Sequence, residues 1–367
     1  MEKAKETEML KMFEKSVSKK GFTLVELLTV MAIIALLIGL LVPALGHVKT
    51  TAKIVQQKAQ LDAIVKALEA FSGMYGDYPP SNETSLDKNY STATTNNTIT
   101  CGAQKMAEAV LGVDLRGFDP RATTTGSYTF DRYAIEGDKF AYAVNGVNGA
   151  TAGPAPTIAD DVTDSLNRRK GPYVKIDESV GSFEVKDLFA NPGTKIYAGG
   201  SPGHDSTGNV KKLFGNVITD VFKVKNVTYT SIDFTAATPT AVPTTAKAGT
   251  PILYYKANTA SKTLDPTNDT TIDNSIYNWH DNMDLVMLGR MNDQTKPHWW
   301  QDTTNPAHVG SGTPADATAF YSYIQNPKIG TTRWPYNQDS YILISAGPDG
   351  IYGTADDICN FSGSDMK

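Results

Sequence analysis

The sequence predicts an α+β protein: one long amino-terminal α-helix, membrane-spanning in its first half, packed on an antiparallel β-sheet domain with large loop insertions. Three observations predict it. Between Phe22 and Leu45, a stretch of 24 residues, only Glu26 is charged. An apolar stripe at helical spacing then runs on to Tyr75. Past Tyr78 that period fades, and short β-like runs bounded by turn residues replace it.

As a helix, the apolar stretch is about 36 Å long, enough to cross a hydrocarbon core of roughly 30 Å. An acid inside such a segment is costly, so Glu26 is expected to find a partner. Val48, Ala52, Val55 and Ala59, then Leu61, Ile64, Leu68, Phe71 and Tyr75, recur in steps of three and four. Lys49, Lys53, Gln57, Lys58, Asp62, Lys66 and Glu69 decorate other faces. Gly73 and Gly76 mark the end, and Tyr78-Pro79-Pro80 cannot continue a helix. The helix therefore covers 22–76, membrane-spanning over about 22–45 and amphipathic over about 46–75. Pro43 removes one backbone hydrogen bond and predicts a kink or local melting.

The globular body is 77–367. Residues 81–100 are polar and turn-rich and read as an exposed loop. Strands are expected at Lys139–Val144, Tyr173–Ile176, Val217–Phe234, Ile252–Lys256, Asp284–Leu288 and Ser340–Ser345. Thr235–Thr250 and Lys262–Asn274 read as low-complexity, and no internal repeat is visible.

Composition narrows the function. The first 21 residues hold six Lys and four Glu, so the remaining 346 move from a net charge of −5 to −7. A mildly acidic body without a basic, aromatic-interleaved stripe argues against nucleic-acid binding. Lysines lie on both sides of the apolar run, so charge orients it only weakly. The run is too long for an ordinary secretory signal and has no small-x-small cleavage site after it. An uncleaved signal anchor is the alternative.

A second motif closes the chain: Ser345-Ala346-Gly347-Pro348-Asp349-Gly350-Ile351-Tyr352-Gly353-Thr354-Ala355-Asp356-Asp357-Ile358. A strand leads into a Gly-rich turn with three carboxylates. Calcium accepts six to eight oxygens, carboxylate and carbonyl alike, and glycines let such a chain fold back on itself. The turn, 345–358, is read as a calcium-type loop; a solvated Asp-Gly turn is the alternative. Asp265, Asp269 and Asp273 lack the glycine of an EF-hand and read as a surface loop.

Enzymatic motifs are weak. Gly199-Gly200-Ser201-Pro202-Gly203 fits a nucleophile elbow in form, but Pro202 has no N–H for an oxyanion hole. His47, His204, His280, His298 and His308 make no zincin spacing. Trp299-Trp300, next to His298, reads as a glycan-stacking or subunit-contact patch or as core. The protein is read as a non-enzyme.

Lys19-Lys20-Gly21-Phe22-Thr23-Leu24-Val25-Glu26 and the apolar run behind it resemble the type IV prepilin signature of pilins and of type II secretion pseudopilins. The resemblance implies cleavage after Gly21 by a prepilin peptidase, which makes 1–21 a leader, and methylation of the new amine on Phe22. Glu26 and Pro43 fall on the family's assembly glutamate and helix proline. In a filament Glu26 would neutralise the amine of a neighbouring subunit, since a matched buried pair costs less than two lone charges. The resemblance also implies a single-pass inner-membrane protein, leader in the cytoplasm and body in the periplasm.

Ala70 to Pro80, ending Tyr75-Gly76-Asp77-Tyr78-Pro79-Pro80, is similar to the pseudopilin helix-to-loop transition. Gly249-Thr250-Pro251-Ile252-Leu253-Tyr254-Tyr255 resembles a strand of the same family, without its usual preceding tryptophan. The acidic turn resembles the calcium loop of the major pseudopilin, which implies carboxylates from Asp349, Asp356 and Asp357 and further oxygens from Ala346 and Thr354. Implied partners are sister copies in a helical filament, other pseudopilins, the inner-membrane assembly platform and the lipid bilayer. Cys101 and Cys359, outside the cytoplasm, can pair or stay as buried thiols; a disulfide over so long a loop contributes roughly 2–4 kcal/mol. The leading reading is a type II secretion pseudopilus subunit. A surface type IV pilus subunit for adhesion or motility is the second, and a membrane-anchored enzyme the third. Nothing in the resemblance reaches 81–170 or 258–335.

Overall fold

The computed structural model describes residues 21–81, 84–85, 99–112, 115, 117–118, 170–175, 181–189, 216–222, 224–233, 240–264, 275–286, 288–301, 317–329 and 333–361. Lys139–Val144, His204 and the Asp265, Asp269 and Asp273 series lie outside them. The chain divides into two compact units, Met1–Ala52 and Lys53–Lys367.

Helix α1 is Leu24–Tyr75, continuous through Gly39 and Pro43. In the first unit its described side chains are all exposed, Leu28, Met31, Leu36 and Leu40 among them. By length and composition α1 can cross a membrane.

In the second unit α1 buries Gln57, Gln60, Leu61, Ile64, Ala67, Leu68 and Phe71. The expected stripe is thus correct from Leu61 onward and wrong before it, because Val55 and Ala59 are exposed. Two glutamines, Gln57 and Gln60, take their place. The face opposite them is backbone: Gln57 Oε1 accepts the Val221 N–H at 2.9 Å and Gln60 Nε2 donates to the Thr219 carbonyl at 2.9 Å. Lys53 Nζ adds a bond to the Phe222 carbonyl at 3.1 Å. Buried backbone groups need such partners, and an aliphatic residue would leave them unpaired.

At its end α1 turns at Gly76, whose φ of 81° suits glycine. Tyr254 then donates its hydroxyl to the Pro79 carbonyl, and Lys256 pairs with Asp77. The exit loop is therefore fastened to the sheet. Ser81, read as the start of an exposed loop, is buried and donates to Asp281. Within the same stretch β1 (Thr84–Ser85) pairs antiparallel with β2 (Ile99–Thr100).

Helix α2, Gly102–Leu111, was not expected, and all ten of its residues are buried. Its polar residues Gln104, Lys105 and Glu108 mask the apolar stripe. Met106, Val110 and Leu111 pack with Ile64 and Leu68 of α1.

The remaining strands are β3 (Gly181–Glu184), β4 (Asn216–Thr219), β5 (Lys225–Asp233), β6 (Thr240–Ala248), β7 (Leu253–Lys256), β8 (Tyr341–Ser345) and β9 (Ile358–Cys359). The short helix α3, Val185–Leu188, follows β3. The sheet that matters most is β7-β8-β9, antiparallel throughout, with Leu253 opposite Ile344 and Ile344 opposite Cys359. Its side chains alternate between two cores, as period two requires. Tyr254, Tyr341 and Leu343 join α1 and α2, whereas Leu253, Tyr255, Ile342 and Ile344 join a second cluster around Trp279, Trp300 and Phe320. Both faces are covered, which explains why β8 is buried at every position.

Other expectations need correction. Val217–Phe234 is two strands, β4 and β5, broken by a turn at Val221 and Phe222. Thr240–Ala248 is a full strand pairing with β5 from Lys225↔Ala248 to Asp233↔Thr240; its threonines suit a pleated surface better than a low-complexity reading allows. Asp284–Leu288 is not a strand: a 3₁₀ turn at Trp279–Asn282 leads into helix α4, Met283–Val286. Short apolar runs do not separate the two states by periodicity. Tyr173 to Lys175 form no strand; the Tyr173 N–H instead bonds the Val110 carbonyl. Helix α5, Ala317–Ile324, lies in the 258–335 insertion and seats Phe320 and Ile324 in the second core.

Candidate functional site

Around Gly21 the chain is open: nothing would meet a Cβ there within 4 Å, and Phe22 is 74% exposed. Thr23 precedes the first helical residue and caps α1. Its backbone N–H and its hydroxyl both donate to Glu26 Oε2 at 2.8 Å, and the Glu26 N–H returns a 3.2 Å bond to Thr23 Oγ1. This is a capping box. The Thr-x-x-Glu spacing signals it in the sequence, but the reading of Glu26 as a lone acid passed over it. Pro43 sits in the body of α1, and its side chain is not among those described.

The acidic loop begins where β8 ends. Gly347, Gly350 and Gly353 all have positive φ. At Gly347 a Cβ would lie 2.2 Å from the Asp356 carbonyl, so the loop folds tightly on itself. Asp349 Oδ1 accepts the Ile351 N–H at 2.8 Å, Asp356 Oδ2 the Asp349 N–H at 3.1 Å, and Asp357 Oδ2 the Gly353 N–H at 2.7 Å. The Thr354 hydroxyl faces Asp349 at 3.2 Å, Asp356 at 2.5 Å and Asp357 at 3.4 Å. The Thr354 hydroxyl has one proton for these three carboxylates, and Tyr323 is a further side-chain partner of Asp357. Burial, with the Asp356 carboxylate adding, pushes Asp349 up to about 6. Burial likewise holds Asp357 well above the usual carboxylate range. Ala346 is buried at the mouth of the turn. As the side chains stand, no group of three or more His, Cys, Asp or Glu among the described residues could hold a metal ion.

The sequence reading missed what supports this loop. His298 Nδ1 accepts the Tyr352 N–H at 3.2 Å while Nε2 lies 3.1 Å from the Gly289 carbonyl. That pairing fixes a neutral ring with its proton on Nε2. Burial lowers its pKa to about 3. Trp299 N–H donates to the Tyr352 carbonyl at 3.2 Å. Trp300 stacks on Tyr352 with centroids 5.9 Å apart, and a Cβ at Gly353 would fall 2.4 Å from its indole nitrogen. Trp300 is core, and Trp299 is exposed. Beneath the same loop Asp220 is buried, and burial raises its pKa to about 7 despite bonds from Phe222, Thr250 and Ser345.

No disulfide joins Cys101 and Cys359. Cys101 caps α2, and Cys359 Sγ lies 3.1 Å from the Tyr323 hydroxyl.

Residues 17–42 match the prokaryotic N-terminal methylation motif. It is a type IV pilin-like prepilin signal, and the match contains Gly21, Phe22 and Glu26. The motif indicates a pilin-like subunit and implies processing by a prepilin peptidase and assembly into pilin-type filaments. No curated protein and no solved structure matches the chain.

Proposed function

We propose that the protein is a structural subunit of a type II secretion pseudopilus, cut between Gly21 and Phe22 and polymerised through α1. The observation that carries this reading is the methylation motif at 17–42 on a helix whose described side chains as far as Ala52 are all exposed. Leu27 to Leu45 leave lipid for the same surface on sister copies, where close packing replaces lipid contacts. The leader lies in the cytoplasm and the body, 77–367, in the periplasm. Extension of the filament pushes exported proteins toward an outer-membrane channel; the protein performs no catalysis.

The carboxyl-end loop favours secretion over a surface pilus. In this reading Asp349, Asp356 and Asp357, with oxygens from Ala346 and Thr354, close on one calcium ion. What supports it is an all-oxygen donor set, flexible glycines and three carboxylates gathered around the Thr354 hydroxyl. Magnesium, which demands near-octahedral geometry, suits such a turn poorly.

Deletion of the gene tests the assignment. Loss of secreted enzymes from the medium supports it; intact secretion with loss of an extracellular fibre makes the protein a surface pilus subunit instead.

A further inference from the structure

The first turn of α2 carries a nucleophile and an acyl group at the two reciprocal positions of one capping box. Cys101 is the N-cap and Gln104 the third helical residue, and the two form a reciprocal capping box. Gln104 Oε1 accepts the Cys101 backbone N–H at 3.0 Å. Both side chains are buried, at 1% and 3% exposure. A thiol is a poor N-cap beside Ser, Thr, Asp or Asn, so capping alone gives little reason for cysteine.

The chain itself shows how close such a pair comes. In the matching box of α1 the Thr23 hydroxyl lies 2.8 Å from the Glu26 carboxylate. In that box an N-cap side-chain atom reaches the carboxyl group three residues on. At α2 the equivalent atoms are the Cys101 sulfur and the Gln104 carboxamide. The turn is held from outside as well. Asn282 Oδ1 accepts the Ala103 N–H at 2.8 Å, and its Nδ2 donates to the Tyr254 carbonyl at 2.7 Å. A Cβ at Gly102 would fall 2.3 Å from that same carbonyl, so the segment is pressed against β7. Tyr255 is fully buried, with Asn282 as a side-chain partner.

We propose that Cys101 and Gln104 close an internal thioester, a latent acyl donor to a primary amine. Cys101 Sγ bonds to Gln104 Cδ, the Cδ–Nε2 bond breaks, and the thiol proton leaves on that nitrogen as ammonia. No oxidant or co-reactant is consumed. The Cys101 backbone N–H stands at the acyl oxygen, where charge develops in the tetrahedral intermediate. Burial keeps water from the product. An amine that reaches the acyl carbon forms an amide; the C–S bond breaks and the amine's proton returns to the sulfur.

Peptide mapping by mass spectrometry on the full-length protein in detergent tests this. The peptide carrying both residues is expected one ammonia lighter than its sequence, with Cys101 resistant to iodoacetamide after denaturation while Cys359 is alkylated. Methylamine should restore the Cys101 thiol and leave a methylamide at Gln104. Gln104→Glu, which keeps an acceptor for the Cys101 N–H but has no amide nitrogen to lose, should abolish the mass loss. A wild-type peptide at its sequence mass with an alkylatable Cys101 would reduce the pair to an ordinary cap. Loss of ammonia that persists in Gln104→Glu would place it elsewhere and overturn the assignment.

Discussion

Thr23 and Glu26 cap one another across the first turn of α1, so the only acid of the apolar segment already has two donors from its own chain. That arrangement separates two roles for Glu26. One is local, starting the helix at Leu24. The other is charge pairing with the Phe22 amine of a sister subunit.

Glu26→Gln keeps an acceptor for Thr23 but removes the charge. If pairing drives assembly, Gln and Ala variants should both insert in the membrane and both fail to form filaments. Thr23→Ala removes the hydroxyl yet leaves the charge, and should assemble. Normal filaments from Glu26→Gln, seen by shear fractionation and electron microscopy, would leave only the cap.

Acid should act on the body in two opposed ways. Asp220 has a folded-state pKa raised to about 7 from 3.8, so the folded protein holds a proton that the unfolded chain gives up. Its contribution is therefore greatest at low pH and declines as pH rises from about 4 to 7. His298, lowered to about 3 from 6.5, must be neutral when folded, and its contribution falls as pH drops below 6.5. Asp220→Asn should remove the first effect and gain stability at pH 7.5 relative to wild type, on the order of a few kcal/mol. Urea melts at pH 4.5 and 7.5 check this; parallel slopes for both proteins would contradict it.

Calcium should stabilise the loop most where its carboxylates are ionised. At a hundredfold excess over Kd, one bound ion contributes about 2.7 kcal/mol to stability. Because Asp349 and Asp357 titrate above the usual range, the gain should be large at pH 7.5 and small at pH 5. Asp349→Ala should melt like wild type without the ion and gain nothing with it. Equal thermal shifts for both proteins would remove the site.

His298→Phe keeps an aromatic ring but leaves the Tyr352 N–H without its acceptor. Loss of that buried bond should cost about 1–3 kcal/mol. The effect should appear in the loop first, as faster amide exchange over 349–357 than over β8. Unchanged exchange at Tyr352 would show that Trp300 stacking alone holds the turn.

The long helix, β7, β8 and the acidic loop were legible in the sequence because each has a strong local pattern. A membrane-length apolar run, buried strands and a Gly-rich turn need no distant partner to be recognised. What escaped was set by tertiary contacts. Gln57 and Gln60 break the apolar stripe because the Thr219–Val221 backbone demands hydrogen bonds. Helix α2 buries Lys105 and Glu108, residue types that ordinarily mark a solvated face. The His298–Tyr352 bond joins residues 54 apart, and no spacing rule predicts it. The Thr23–Glu26 box was readable and was overlooked because Glu26 already had a role.

The amino terminus of the protein purified from its native membrane decides the central claim. Mass spectrometry should find a chain that starts at Phe22 with one methyl group on its amine. A chain that still begins at Met1 would mean that the processing and the filament do not occur as described.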